Sequence, residues 1–440
     1  EATMDYDFDA EVDRQDTNSL KWEFIQSDED PLKWELTDRF FGEDRILPLW
    51  VADMDFPCPK PVVDALVARA QHGIYGYTMP SPAFYQSVVR WMQRRHGWEI
   101  APEWICITPG VVPALNMLVR AFVAHGDKVL IQPPVYYPFY SAIENNGAEL
   151  ALNPLIYEDG RYRMDLADLE AKCKDPKVKL AILCSPHNPV GRVWTWEELG
   201  RFGEICINND VLVISDEIHS DLIFKGYVFT PFAKVSEAFA QNSVTCTAPS
   251  KTFNLAGLQT SCIVIPNQEL RSTFERIVQS NGLVTIGTFG AVALQAAYDH
   301  GEEWLGQLLD YLQGNLEYLE QYVAEFIPQL SVVRPEGTYL VWLDCRRLGL
   351  SKWGLKQLML EEARVYFDEG FVFGPGGEGF ERVNIACPEQ LWLRRSIESG
   401  RRWKGCRPGV PDRRDWAERC PHNQWLGGAS PVRRRLLNWT

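Results

Sequence analysis

The chain has 440 residues, 46% of them apolar and 23% charged, which is ordinary globular usage and excludes a disulfide-stapled miniprotein or a disordered chain. No apolar run approaches the roughly 18 residues of a membrane helix, so no membrane partner is expected. The net charge of −15 is uneven: residues 391–440 hold 11 Arg and one Lys against four acidic residues, a net of +8, and leave −23 on the rest.

An acidic body of that size repels phosphate backbones, so nucleic acid is not expected as a partner. The 11 cysteines are odd in number and scattered from Cys58 to Cys420 without a C-x-x-C pair, which points to a reducing cytoplasm and to no metal site. The acidic N-terminus lacks the basic and apolar build of a secretory signal.

In chain order, apolar β-branched runs alternate with amphipathic stretches. KVLIQP (128–133), KLAILCSP (179–186), VLVISDE (211–217), SVTCTAPS (243–250) and CIVIP (262–266) read as strands with both faces covered. Helices are predicted over 113–125 and 195–208. The class is therefore α/β, a mostly parallel sheet covered by helices. After about residue 295 one long helix carries Trp304, Leu305, Leu308, Leu312, Leu316, Leu319, Val323 and Phe326 on one stripe. The segments LSVVRP, GTYLVWLDC and ERVNIACP, with a helix over 352–363, predict a smaller α+β domain. The expected division is a large domain over 50–295, a small domain over 1–49 plus 296–395, and an atypical tail over 396–440. That basic tail lacks periodicity and reads as an appended or frame-shifted extension rather than a binding arm.

Three strand exits carry polar groups: Asn188 in H-N-P-V-G-R, Asp216 in D-E-I-H-S-D, and Lys251 in S-K-T-F-N. Singly, each reads as a surface charge or a cap. They stand 28 and 35 residues apart, one strand-helix-strand step each, so neighbouring strands can deliver all three to one crevice.

This constellation resembles the fold-type I pyridoxal-phosphate enzymes of the aminotransferase class I and II superfamily, over about residues 20–390. The resemblance implies pyridoxal 5'-phosphate as cofactor, with Lys251 as its Schiff-base amine and as the base for the Cα proton. It also implies Asp216 facing the pyridine nitrogen, Asn188 and His219 at the ring phenolate, and Tyr136 stacked on the ring. Val111 and Val112, after the turn Thr108-Pro-Gly110, would offer N–H groups at a helix start to the phosphate, with Ser250 adding a hydroxyl. Tyr77 would reach the phosphate from a second subunit, making the protein a homodimer. Arg382 in R-V-N-I-A would clamp the substrate α-carboxylate. Where many relatives have a Ser and an Arg on the phosphate, this chain has Ala248 and Gln259. The glycine-rich run Phe373–Gly379 matches no phosphate-loop pattern and reads as the turn into the Arg382 strand.

The words L-W-V-A-D-M-D-F (49–56), A-P-S-K-T-F-N-L-A-G-L-Q (248–259) and D-E-I-H-S-D (216–221) resemble the C–S lyase branch, the MalY/PatB family of cystathionine β-lyase type enzymes. The resemblance implies α,β-elimination from L-cystathionine or another L-cysteine S-conjugate, giving a thiol, pyruvate and ammonia. Trp50 and Asp55 are expected as substrate contacts. An aminotransferase with a 2-oxo acid acceptor shares every cofactor residue, and members of this family can also bind a transcription activator, so both readings stay open.

Overall fold

The computed structural model describes residues 4–26, 33–41, 46–389 and 391. The predicted basic tail lies outside them. The central sheet has seven strands, ordered Ile105–Thr108, Ser261–Val264, Ser243–Thr247, Leu212–Asp216, Val178–Cys184, Lys128–Ile131, Glu149–Leu152. The last five run parallel, and Ser261–Val264 lies antiparallel to both its neighbours. The sheet is thus mostly parallel, as expected. The two edge strands, Ile105–Thr108 and Glu149–Leu152, and the reversed direction of Ser261–Val264 are not among the elements that periodicity predicts.

Local chemistry sets the helices. Val111–Phe122 follows Gly110, and Trp196–Asn208 begins with a capping box in which Thr195 and Glu198 satisfy each other's backbone N–H groups. The stripe predicted after residue 295 lies in the single helix Glu302–Phe326 and is buried from Trp304 to Val323, whereas Phe326 is exposed; Gly301 separates this helix from Thr288–His300. The expected helix over 352–363 is α-helical over Lys352–Gln357 and widens into a π-turn over Leu358–Glu362.

A second sheet orders Ser331–Val333, Leu340–Asp344, Phe380–Asn384 and Asp368–Glu369. Trp342 at its centre is fully buried, stacks on Phe380 at 5.2 Å and donates its indole N–H to Tyr162 at 3.1 Å. The run Phe373–Gly379 does turn the chain into the Arg382 strand. Gly374 sits at φ 90°, where a Cβ would also collide with the Tyr140 hydroxyl.

Residues 50–56 run as irregular chain between the two sheets, and side chains from several elements satisfy their carbonyls. Arg382 donates to Trp50 at 2.8 Å, and Asn384 to Val51 and Asp53 at 2.7 Å each. Lys251 and Tyr339 both donate to Ala52, and Asn254 donates to Met54 and Phe56. The N-terminal segment closes over this stretch: Phe8 packs on Phe56 and Trp304, and Lys21, with 0% of its side chain exposed, pairs with Asp55 at 2.7 Å. Met4 and Tyr6 bond Glu303 and Gln307 of the long helix.

Replacing Lys21 by Met leaves the buried Asp55 carboxylate short of one cation. The expected loss is about 2 kcal/mol of unfolding free energy, read from the urea midpoint at neutral pH.

Candidate active site

The carboxyl ends of the parallel strands converge where the fold rule places ligands. Asp216 ends its strand and is nearly fully buried. Its Oδ1 accepts the Ile218 N–H at 3.2 Å. Burial pushes its pKa up to about 7, although that bond and the nearby Lys251 charge work against the shift. Such a carboxylate lacks a cation close enough to offset its desolvation.

Lys251 lies one strand over, in the single turn Pro249–Thr252 that follows Ser243–Thr247. Its Nζ donates to the Ala52 carbonyl at 2.7 Å. Burial lowers its pKa to about 8, with Arg382 adding to the shift and Asp53 and Asp216 opposing it. A buried Asp221 anchors the turn by accepting the Thr252 hydroxyl at 2.8 Å, and it also meets His96 at 3.0 Å.

Asn188 follows the Val178–Cys184 strand and is buried, with its Oδ1 accepting from Arg382 at 3.1 Å. Arg382 comes from the second sheet. It also donates to Asp368 at 2.6 Å, its cross-strand neighbour, and packs over the Phe373 ring at 4.9 Å. Its Nε is buried and has no hydrogen-bond partner among the described residues. Burial, only partly offset by Arg382, lifts the Asp368 pKa to about 6. His219 is buried with Nδ1 unpartnered, and burial, then Lys251 and Arg382, hold it well below its usual value as a neutral imidazole. Tyr136 is half-buried in the same field, its hydroxyl pushed up to about 12 chiefly by burial.

Val111 and Val112 occupy the first turn of their helix, where backbone N–H groups have no partner within the helix. Ser250 is half-buried beside Lys251. Tyr77 lies apart from these residues in its own chain, 99% exposed. Ala248 is buried and Gln259 exposed at φ 48°.

Two expected substrate contacts are corrected. Asp55 does not face the Lys251 cluster: its oxygens are taken by Arg14 at 2.8 Å, Lys21 at 2.7 Å and the Trp22 indole N–H at 2.8 Å. The Trp50 ring stacks on Tyr366 at 4.9 Å and donates to the Lys21 carbonyl, so only its backbone oxygen meets Arg382. Both side chains anchor the N-terminal segment. Sequence reasoning missed Tyr339, Asn384, Asp368 and Asp53. The neighbours of Arg382 in R-V-N were a usable signal for Asn384, whereas nothing local marked the other three.

Residues 45–398 match the family described as aminotransferase class I and II. The chain belongs to that family. Cystathionine beta-lyase PatB of Bacillus subtilis is 48% identical over 356 residues, covering 81% of this chain and 92% of that protein. Cystalysin from Treponema denticola, whose crystal structure contains a pyridoxal 5'-phosphate cofactor, superposes with a TM-score of 0.86 at 36% identity, over 92% of this chain and 100% of that one. A PLP-bound putative aminotransferase from Clostridium difficile gives 0.84 at 41% identity, over 91% and 100%.

Raised acid pKa values make the ligand-free chain less stable as pH climbs. Asp216 keeps its proton in the fold up to about 7 but loses it near 3.8 when unfolded, so its contribution is full below 3.8 and gone above 7. Asp216→Asn is therefore expected to gain stability over the parent between pH 5 and pH 8, by about 2 kcal/mol, in urea unfolding of the ligand-free protein.

Proposed function

We propose that this chain is a pyridoxal-phosphate-dependent C–S β-lyase that cleaves L-cystathionine or another L-cysteine S-conjugate to a thiol, pyruvate and ammonia. The observation that carries the reading is the pair at two neighbouring strand exits, the buried Asp216 with its carboxyl pushed up to about 7 and the half-buried Lys251 with its amine lowered to about 8. The names of the relatives at 48% and 36% identity agree with it.

The residues fit the group. Bound pyridoxal phosphate supplies an aldehyde carbon for an amine and a protonated ring that accepts the electron pair left at the substrate Cα. Asp216 would hold the proton on the ring nitrogen, the cation its site lacks. The Asn188 amide and the unpartnered His219 face would hold the ring oxygen, and Tyr136 would cover the ring. The N–H groups of Val111 and Val112, with the Ser250 hydroxyl, would take the phosphate at a helix N-terminus. Those donors would stand in for the hydroxyl and the guanidinium that many relatives have where Ala248 and Gln259 stand.

For the substrate, Arg382 would bind the α-carboxylate through its fork, oriented by Asn188 and Asp368. Lys251 Nζ would take the Cα proton, the Cβ–S bond would break, and the thiolate would leave with the bonding pair. The stretch 50–56 would border the pocket through its backbone and Asp53 rather than through Trp50 and Asp55.

We also propose a homodimer. Ile74, Tyr75, Tyr77, Met79 and Val284 are large exposed apolar residues, and the bridge between Thr78 and Ile286 brings their segments together. A second copy would cover that face and borrow Tyr77 for the phosphate. Among the described residues no helix is long and apolar enough to cross a membrane, and none of the nine described cysteines forms a disulfide, in keeping with a cytoplasmic setting.

The test is a visible spectrum before and after adding L-cystathionine, with pyruvate assayed and no oxo acid present. A visible band absent from Lys251→Ala, together with pyruvate, is the expected result, whereas turnover only with a 2-oxo acid would make the protein an aminotransferase. Arg382→Lys keeps the charge opposite Asp368 but loses the planar fork. Its KM for the amino acid is expected to rise about tenfold, with a smaller change in kcat, in steady-state pyruvate assays.

A further inference from the structure

Side-chain charges of alternating sign run from the N-terminal segment to Asp53, next to the carbonyl that Lys251 bonds. Lys21 and Arg14 hold the two oxygens of Asp55 at 2.7 and 2.8 Å. Arg14 then reaches Asp53 Oδ2 at 2.9 Å. The other Asp53 oxygen, Oδ1, is buried and accepts no hydrogen bond among the described residues.

Asp53 directly follows Ala52, whose carbonyl receives Lys251 Nζ at 2.7 Å and the Tyr339 hydroxyl at 2.9 Å. We propose that Asp53 is a positioning residue for Lys251: without an ion-pair contact, the charge on its unbonded oxygen beside the Ala52 carbonyl favours the lysine ammonium at that carbonyl, and Arg14 limits how much of that charge the lysine feels.

The idea rests on Lys251 being the reactive amine, as set out above. That amine must be neutral to add to an aldehyde or to take a proton from carbon, and it is charged once it has done so. Burial and the facing Arg382 guanidinium favour the neutral form, while Asp53 and Asp216 favour the charged form. The neutral His219 imidazole and the Tyr339 hydroxyl complete the surroundings. Asp216 faces a cofactor contact in the proposed function, so Asp53 is the acid left to stabilise a freed ammonium. Arg14 belongs to the N-terminal segment, so the seating of that segment would be felt at the lysine.

The experiment uses the full chain stripped of cofactor and re-exposed to pyridoxal phosphate across a pH series, reading the rate at which the visible band appears. Only the neutral amine reacts, so the midpoint of the profile reports Lys251. Asp53→Asn should move the midpoint down by about one pH unit. Arg14→Gln should move it up, because Asp53 then loses its competing cation. Opposite shifts are not what general destabilisation produces. A midpoint unchanged in Asp53→Asn, or both variants moving the same way, overturns the proposal. A parent chain that forms no band at any pH overturns the cofactor assignment and this proposal together.

Discussion

The structure depends on satisfying a buried stretch of irregular backbone. Residues 50–56 pass between the two sheets without a strand ladder, so each carbonyl needs a donor from elsewhere, because an unpaired buried carbonyl costs as much as a lost hydrogen bond. The donors are Arg382, Asn384, Lys251, Tyr339 and Asn254, which come from the second sheet and from the lysine turn. One requirement therefore aligns the large sheet, the small sheet and the N-terminal segment. It also explains why the charged side chains of Lys251 and Arg382 bond to main chain: each meets the need of a carbonyl in this stretch.

The charges at the crevice are arranged along its length. The protein is strongly acidic, yet the groups facing inward include Lys251, Arg382 and a helix N-terminus at Val111. Against them stands Asp216, buried without a close cation. Arg382 is held on one side by Asn188 and on the other by Asp368, which fixes the guanidinium plane and leaves Nε buried and unbonded. Because Asp368 is its direct cross-strand neighbour, the sheet register itself sets where the Arg382 guanidinium lies.

The triad Asn188, Asp216 and Lys251 was legible because each ends an apolar strand run and the spacing of a parallel sheet repeats. Tyr136 and Arg382 were legible only through resemblance, since a Tyr after a strand or an Arg on one has no distinctive period. Asp55 was misread for a physical reason. In W-V-A-D-M-D-F both acids lie two residues apart in the same irregular stretch, and nothing local says that Lys21, Arg14 and Trp22 will cover one of them.

Composition and periodicity by themselves determined the α/β class, five of the strands of the central sheet, the buried stripe around Leu308 and which polar residues follow those strands, because these follow from local spacing of apolar residues. Tertiary structure alone decided that Ser261–Val264 runs against its neighbours, that Asp53 rather than Asp55 lies at the lysine, and that Asp368, Tyr339 and Asn384 join the site. Those outcomes depend on contacts between residues up to several hundred positions apart, whose partners are selected by burial and by the need to pair every buried polar group, and no local pattern encodes that selection.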